Sequence, residues 1–131
     1  MCFFLYAALY GDVSGTDYQA VQDKYVYQIL LGTKHDVKMA VKAGARGFRL
    51  TDWQCDFDSP VGRHNPNDPI IAELCSLITE LLALPGAEQA YLCKTWIGKQ
   101  NKKEIKQKLA DADLAMLLAD LKENCLYCLA V

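Results

Sequence analysis

The chain has 131 residues, of which 52 % are hydrophobic and 23 % charged, and its formal net charge is −2. This length is typical of one domain, and the composition excludes intrinsic disorder. The slight acidity argues against nucleic acid as a partner, and no stretch approaches the roughly 18 apolar residues of a membrane-spanning helix. We therefore expect one soluble domain, residues 1–131, that has no membrane partner.

The six cysteines predict free thiols rather than a disulfide scaffold, because they lie among apolar residues. Cys75 lies in a helical pattern, and strand-like runs contain Cys2, Cys93, Cys125 and Cys128. Reduced core thiols indicate a reducing compartment, which predicts a cytoplasmic protein. Cys125 and Cys128 have the spacing of redox pairs and zinc knuckles. In a strand, however, residues three apart point to opposite faces, so this pair should form neither a disulfide nor a shared metal site.

The first third of the chain predicts strands around a helical region. Residues 1–9 predict a central strand, because the run is apolar at every position that would face either side of a sheet. Residues 17–31 are ambiguous, since a helical apolar face overlaps the strand-forming run at 25–31. Residues 35–43 predict a short helix, and the alternation over 46–53 predicts a half-exposed strand.

The clearest helix begins at Asp68, a favourable N-cap residue, followed by Pro69 at the first helical position. A wide apolar face predicts packing against a sheet. It consists of Ile71, Leu74, Cys75, Ile78, Leu81 and Leu82. Pro85 and Gly86 should end this helical region.

The last third predicts a strand at 90–97, a helical region and a terminal strand at 125–131. Asn101 followed by Glu104 resembles a capping box, which would start the last helical region and place the lysines of residues 99–108 on a solvated helix face. Asp111 or Asp113 could then cap a new helix. The whole pattern predicts an α/β or α+β two-layer sandwich, with a four- or five-stranded sheet and two to four helices. Ferredoxin-like order is one candidate.

The densest polar stretch spans residues 52–68, between two well-defined elements. The polar side chains that could form a site there are Asp52, Cys55, Asp56, Asp58, Arg63, His64, Asn65 and Asn67. Long loops on a rigid scaffold often carry binding groups, although the prolines, asparagines and glycine here are equally typical of a turn-rich connection.

Two hypotheses follow from this loop. Because no intact catalytic signature is present, the first is a non-enzymatic module that binds a protein or small ligand through Asp52, Arg63 and His64, without cofactor or metal. The alternative is a small thiol- or metal-dependent enzyme. In it Cys55 is nucleophile or ligand, and Asp56, Asp58 or His64 is base or co-ligand. Nucleic-acid binding through the lysine run ranks last, and the sequence is compatible with a homodimer without determining one.

Overall fold

The computed structural model describes residues 3–25, 46–49, 61–96, 103–111, 113–123 and 125–131. Its strands are β1 (Phe3–Gly11), β2 (Arg46–Arg49), β3 (Ala87–Trp96), β4 (Lys103–Lys108) and β5 (Cys125–Ala130). Its helices in this part of the chain are α1 (Gly15–Asp23), α2 (Pro69–Leu82) and α3 (Leu114–Ala119), and one 3-10 turn covers Leu109–Asp111.

The strands form one mixed five-stranded sheet in the order β2-β1-β3-β5-β4. Three neighbouring pairs are antiparallel, whereas β4 and β5 are parallel and are connected through α3. The predicted two-layer α+β sandwich is therefore confirmed. The ferredoxin-like candidate is not the order found, because the described elements run β-α-β-α-β-β-α-β rather than β-α-β-β-α-β.

The central strands are buried on both faces. On the helix-facing side, Leu9, Leu92 and Leu129 join the main core together with side chains of all three helices. On the other side, Ala8, Tyr91 and Cys128 form a second, smaller cluster. The prediction of a central first strand is thus confirmed, because alternate residues of β1 enter different clusters.

The helix α2 begins as its sequence predicts, and its buried face differs from the prediction only in that Leu77 is buried and Cys75 is partly buried. Asp68 adopts an extended conformation, and its carboxylate accepts a hydrogen bond of 2.9 Å from the Ile70 amide. Six apolar side chains of α2 are then buried against the sheet and the neighbouring helices. They are Ile71, Leu74, Leu77, Ile78, Leu81 and Leu82.

The end of α1 is tied to α2 by polar contacts. The Lys24 ammonium lies 2.9 Å from one carboxylate oxygen of Glu80, and the Tyr25 hydroxyl donates to the other. Of the ambiguous segment 17–31, residues 17–23 belong to α1 and precede these contacts. Residues 26–31, including most of the strand-forming run, lie outside the described residues. The predicted helix at 35–43 lies outside the described residues, as do residues 50–53 of the predicted strand.

The predicted helical region that starts with the capping box at 101–104 is wrong over residues 103–108, and residues 101 and 102 lie outside the described part of the chain. Residues 103–108 form β4, whose every position is paired in parallel register with β5, from Lys103 beside Cys125 to Lys108 beside Ala130. Helix propensity is a weak preference, and ladder hydrogen bonds to a neighbouring strand override it. The last helix instead begins after Asp113, whose carboxylate caps the Met116 amide, so that one of the two alternative caps is confirmed.

The predicted reduced thiols are found at four of the six cysteines. Cys75, Cys93, Cys125 and Cys128 are thiols rather than disulfides, whereas Cys2 and Cys55 lie outside the described part of the chain. Cys125 packs against the main core and Cys128 belongs to the smaller cluster, so the two lie on opposite faces of β5. Within the described residues, no helix is long and apolar enough to cross a membrane.

Two neighbouring isoleucines of α2 provide a test of this packing. Ile71 is fully buried, whereas Ile70 is 36 % exposed. We expect Ile71→Ala to lower the free energy of unfolding by about 2–5 kcal/mol, because it removes transfer energy and leaves a cavity. The matched Ile70→Ala should cost less than about 1 kcal/mol. Urea unfolding measures both values, and equal losses would contradict the packing described here.

Candidate functional site

Two of the predicted site residues lie in a turn at residues 61–64, shortly before α2. Arg63 and His64 are exposed there, whereas the Val61 side chain is fully buried. The other candidates, Asp52, Cys55, Asp56 and Asp58, lie outside the described residues. The structure therefore locates the second half of the predicted loop and not the convergence of Cys55 with His64.

The turn is attached to the end of α3 through its backbone. The Gly62 amide donates to the Leu118 carbonyl at 2.9 Å, and the His64 amide donates to the Ala119 carbonyl at 2.8 Å. Carbonyls in the last turn of a helix often lack partners within the helix, and the His64 amide supplies one to the Ala119 carbonyl. The Leu118 carbonyl also accepts from the Leu121 amide at 3.4 Å, so the Gly62 amide gives it a shorter bond. The turn and the helix end thus hold each other in place.

Gly62 is required by this close approach. Its φ of +77° lies in the left-handed region that favours glycine, and a Cβ atom would lie 2.9 Å from the Leu121 carbonyl oxygen. Any larger residue would push the turn away from the chain that follows α3. The glycine therefore allows the two backbone contacts described above.

The buried side chain of Lys94 contacts the turn from the core side. Lys94 lies on β3 two residues after Leu92, on the same face, and its side chain is only 6 % exposed. Its ammonium donates to the Val61 carbonyl at 2.9 Å. A buried ammonium is costly unless it is hydrogen-bonded, so this contact matters to both groups. We refer to the turn at 61–64 together with Lys94 and Asp120 as the turn–helix junction.

His64 is oriented by Asp120, the residue that ends α3. Its Nδ1 lies 2.7 Å from a carboxylate oxygen of Asp120, and the two side chains are 78 % and 49 % exposed. Because an ionised carboxylate only accepts hydrogen bonds, the contact favours the tautomer with its proton on Nδ1, and Nε2 lies on the far side of the ring from Asp120. With a φ of 61°, His64 is the one non-glycine residue of the described part of the chain in the left-handed region. Histidine is among the residues that tolerate this conformation.

The described residues contain no group of three or more His, Cys, Asp or Glu side chains that could hold a metal ion. The Cys75 thiol lies elsewhere, on α2. Its partial burial and, to a lesser extent, the negative charge of Asp113 raise its pKa above the usual value of 9.0. A raised pKa lowers the thiolate fraction at neutral pH, so Cys75 has the character of an inert structural thiol.

The junction contains two residues that the sequence analysis did not identify. Lys94 could have been found, because strand alternation places it on the same side as Ala90 and Leu92, and a lysine at a core position is unusual. Asp120 gives no such signal. It lies 56 residues from His64 in the chain, and only the packing of α3 brings the two together.

No protein-family model, no curated protein and no solved structure matches this chain.

Replacement of Lys94 tests the junction directly. Lys94→Met keeps most of the apolar stem but removes the donor to the Val61 carbonyl, so we expect a loss of about 1–3 kcal/mol in the free energy of unfolding. The amides of Gly62 and His64 should also exchange faster with solvent, because their turn is less firmly held. The matched control is Lys122→Met, at an exposed position. Unchanged exchange at both amides would show that Lys94 does not hold the turn.

Proposed function

We propose that this protein is a non-enzymatic binding module whose 52–68 loop contacts an anionic group on a small ligand or a partner protein. The supporting observation is the pairing of a fixed backbone with exposed side chains. Two amides of the turn bind the end of α3, and Lys94 binds the Val61 carbonyl from the core side. A surface that is ordered before binding loses less conformational entropy when a ligand arrives.

The chemistry of the exposed groups suggests the ligand class. Arg63 carries a permanent positive charge, and its planar guanidinium suits the bidentate binding of carboxylates and phosphates. The neighbouring His64 is exposed, and its Nε2 can donate when the ring is protonated and accept when it is neutral. Asp52, also expected to contact the ligand, remains a sequence-based candidate because it lies outside the described residues.

An anion titration tests this proposal. Inorganic phosphate and citrate would be added at constant ionic strength, because screening by salt alone alters surface charges. We expect a saturable change in the ring resonances of His64. The apparent affinity should fall by about tenfold in Arg63→Gln, the size expected for one charge-assisted hydrogen bond.

The control for this titration is Lys122→Gln, which removes an exposed positive charge outside the turn and should leave the affinity unchanged. His64→Asn is a second useful variant, because asparagine tolerates the left-handed conformation at this position. A linear, non-saturable response in the wild-type protein would contradict an anion site at the turn. So would equal losses in Arg63→Gln and Lys122→Gln.

One observation favours a second candidate, the thiol- or metal-dependent enzyme. The Asp120 contact at Nδ1 is the orientation that a carboxylate gives to a catalytic or metal-binding histidine. In that candidate Cys55 is the nucleophile or ligand, Asp56 or Asp58 completes the set, and Arg63 holds an anionic substrate.

Elemental analysis of reduced, untagged protein separates the binding module from the metal-dependent form of the second candidate. A binding module should contain no stoichiometric transition metal, either as wild type or as Cys55→Ser. A near-stoichiometric metal that disappears in both Cys55→Ser and His64→Asn would instead establish a metal site and contradict the first proposal. The Cys75→Ser variant is the control, because that thiol lies on α2 and should not affect metal content.

A further inference from the structure

The strand β4 forms one edge of the sheet among the described strands. It is paired along its whole length with β5 and has no second described neighbour. An edge strand presents a row of backbone donors and acceptors on its outer side, and such a row can pair with an extended segment of another chain. The side chains of β4 determine which segment this edge would accept.

The charges of β4 limit which kind of segment could pair with its outer edge. Lys106 and Lys108 are both exposed, and they lie on the same face of β4 because they are two residues apart. Within the described residues, neither lysine forms an ion pair. Lysine on an edge discourages pairing with apolar strands. Opposite charges across neighbouring strands stabilise the pair, so the same lysines favour an acidic segment.

The opposite face of β4 offers an apolar contact. Ile105 packs against the main core but remains partly exposed. Gln107 is exposed although it is in register with Leu129, which is fully buried. On this face, the side chains of β4 are therefore less buried than those of β5. A strand added beside β4 could cover the remaining surface of Ile105 on this side while its acidic residues meet the lysines on the other.

A second copy of the chain fits this edge less well. Antiparallel pairing of two β4 strands about Lys106, a register that keeps the helices on one side of a shared sheet, would place Lys106 opposite its own copy. Like charges directly opposite each other destabilise a strand pair. An acidic segment from a different protein avoids this repulsion and also neutralises Lys106.

We propose that the outer edge of β4 binds an extended acidic segment of a partner protein by strand addition. Carboxylates at alternate positions of that segment face Lys106 and Lys108, and an apolar residue between them covers Ile105. This site is separate from the turn–helix junction and does not rest on its function. Backbone hydrogen bonds between the two strands provide affinity, and the charges of Lys106 and Lys108 provide specificity for an acidic segment.

The test uses a short acetylated peptide of alternating glutamate and valine residues, together with the charge-swapped peptide of lysine and valine. Wild-type protein should bind the acidic peptide, and binding should slow amide exchange in β4. The double variant Lys106→Glu and Lys108→Glu should bind it at least about tenfold more weakly. The same variant should gain affinity for the lysine peptide, a rescue that a misfolded protein would not show.

Two control variants test whether peptide binding depends on the β4 lysines in particular. Lys122→Glu changes an exposed charge away from β4 and should not alter peptide affinity, and Arg63→Gln should leave it intact as well. Failure of the acidic peptide to slow β4 exchange would overturn the proposal. It would also be overturned if sedimentation showed a wild-type dimer that the double variant abolishes, or if only a single-stranded oligonucleotide protected β4.

Discussion

The face of α2 that contains Ile71, Leu77 and Ile78 is buried against the sheet and the other helices, with at most 1 % of each residue exposed. Burial of this size is the main source of folding free energy in a domain of this length. It also determines where the functional candidates lie. Because Asp68 caps the buried helix, the turn at 61–64 must lie at the same end of the sheet, where the end of α3 meets it. The position of the turn is thus a consequence of core packing.

Elements defined by apolar periodicity could be predicted from the sequence, and β4 could not. The helix α2 shows a broad apolar face, an N-cap and a terminating Pro-Gly pair, and each of these local signals agrees with its buried position. The segment that forms β4 contains lysines, a glutamate and one isoleucine, which are compatible with an exposed helix or an edge strand. Its conformation depends on parallel pairing with β5, a contact between residues distant in the chain. Local propensity contains no information about that partner.

For a similar reason, the sequence predicts which residues of the 61–64 turn are exposed but not what holds the turn. Turn-forming residues and polar groups marked the region around Arg63 and His64 as exposed loop, and both side chains are exposed. The groups that hold this turn come from elsewhere in the chain. Lys94 belongs to β3, and the carbonyls of Leu118 and Ala119 belong to α3. A sequence pattern can therefore indicate which residues a site presents, whereas the fold determines which residues support it.

Exposure to water is the physical reason to favour binding over catalysis at the junction. A contact between side chains as exposed as His64 and Asp120 is worth about 0–1 kcal/mol, enough to bias the orientation of the imidazole ring. Effective transition-state stabilisation requires oriented dipoles in a site that excludes water. Recognition has a weaker requirement, because a partner excludes water itself as it binds and needs only exposed groups on a fixed backbone. The backbone bonds to α3 and the Lys94 contact supply such a fixed backbone, and Arg63 and His64 supply exposed groups on it.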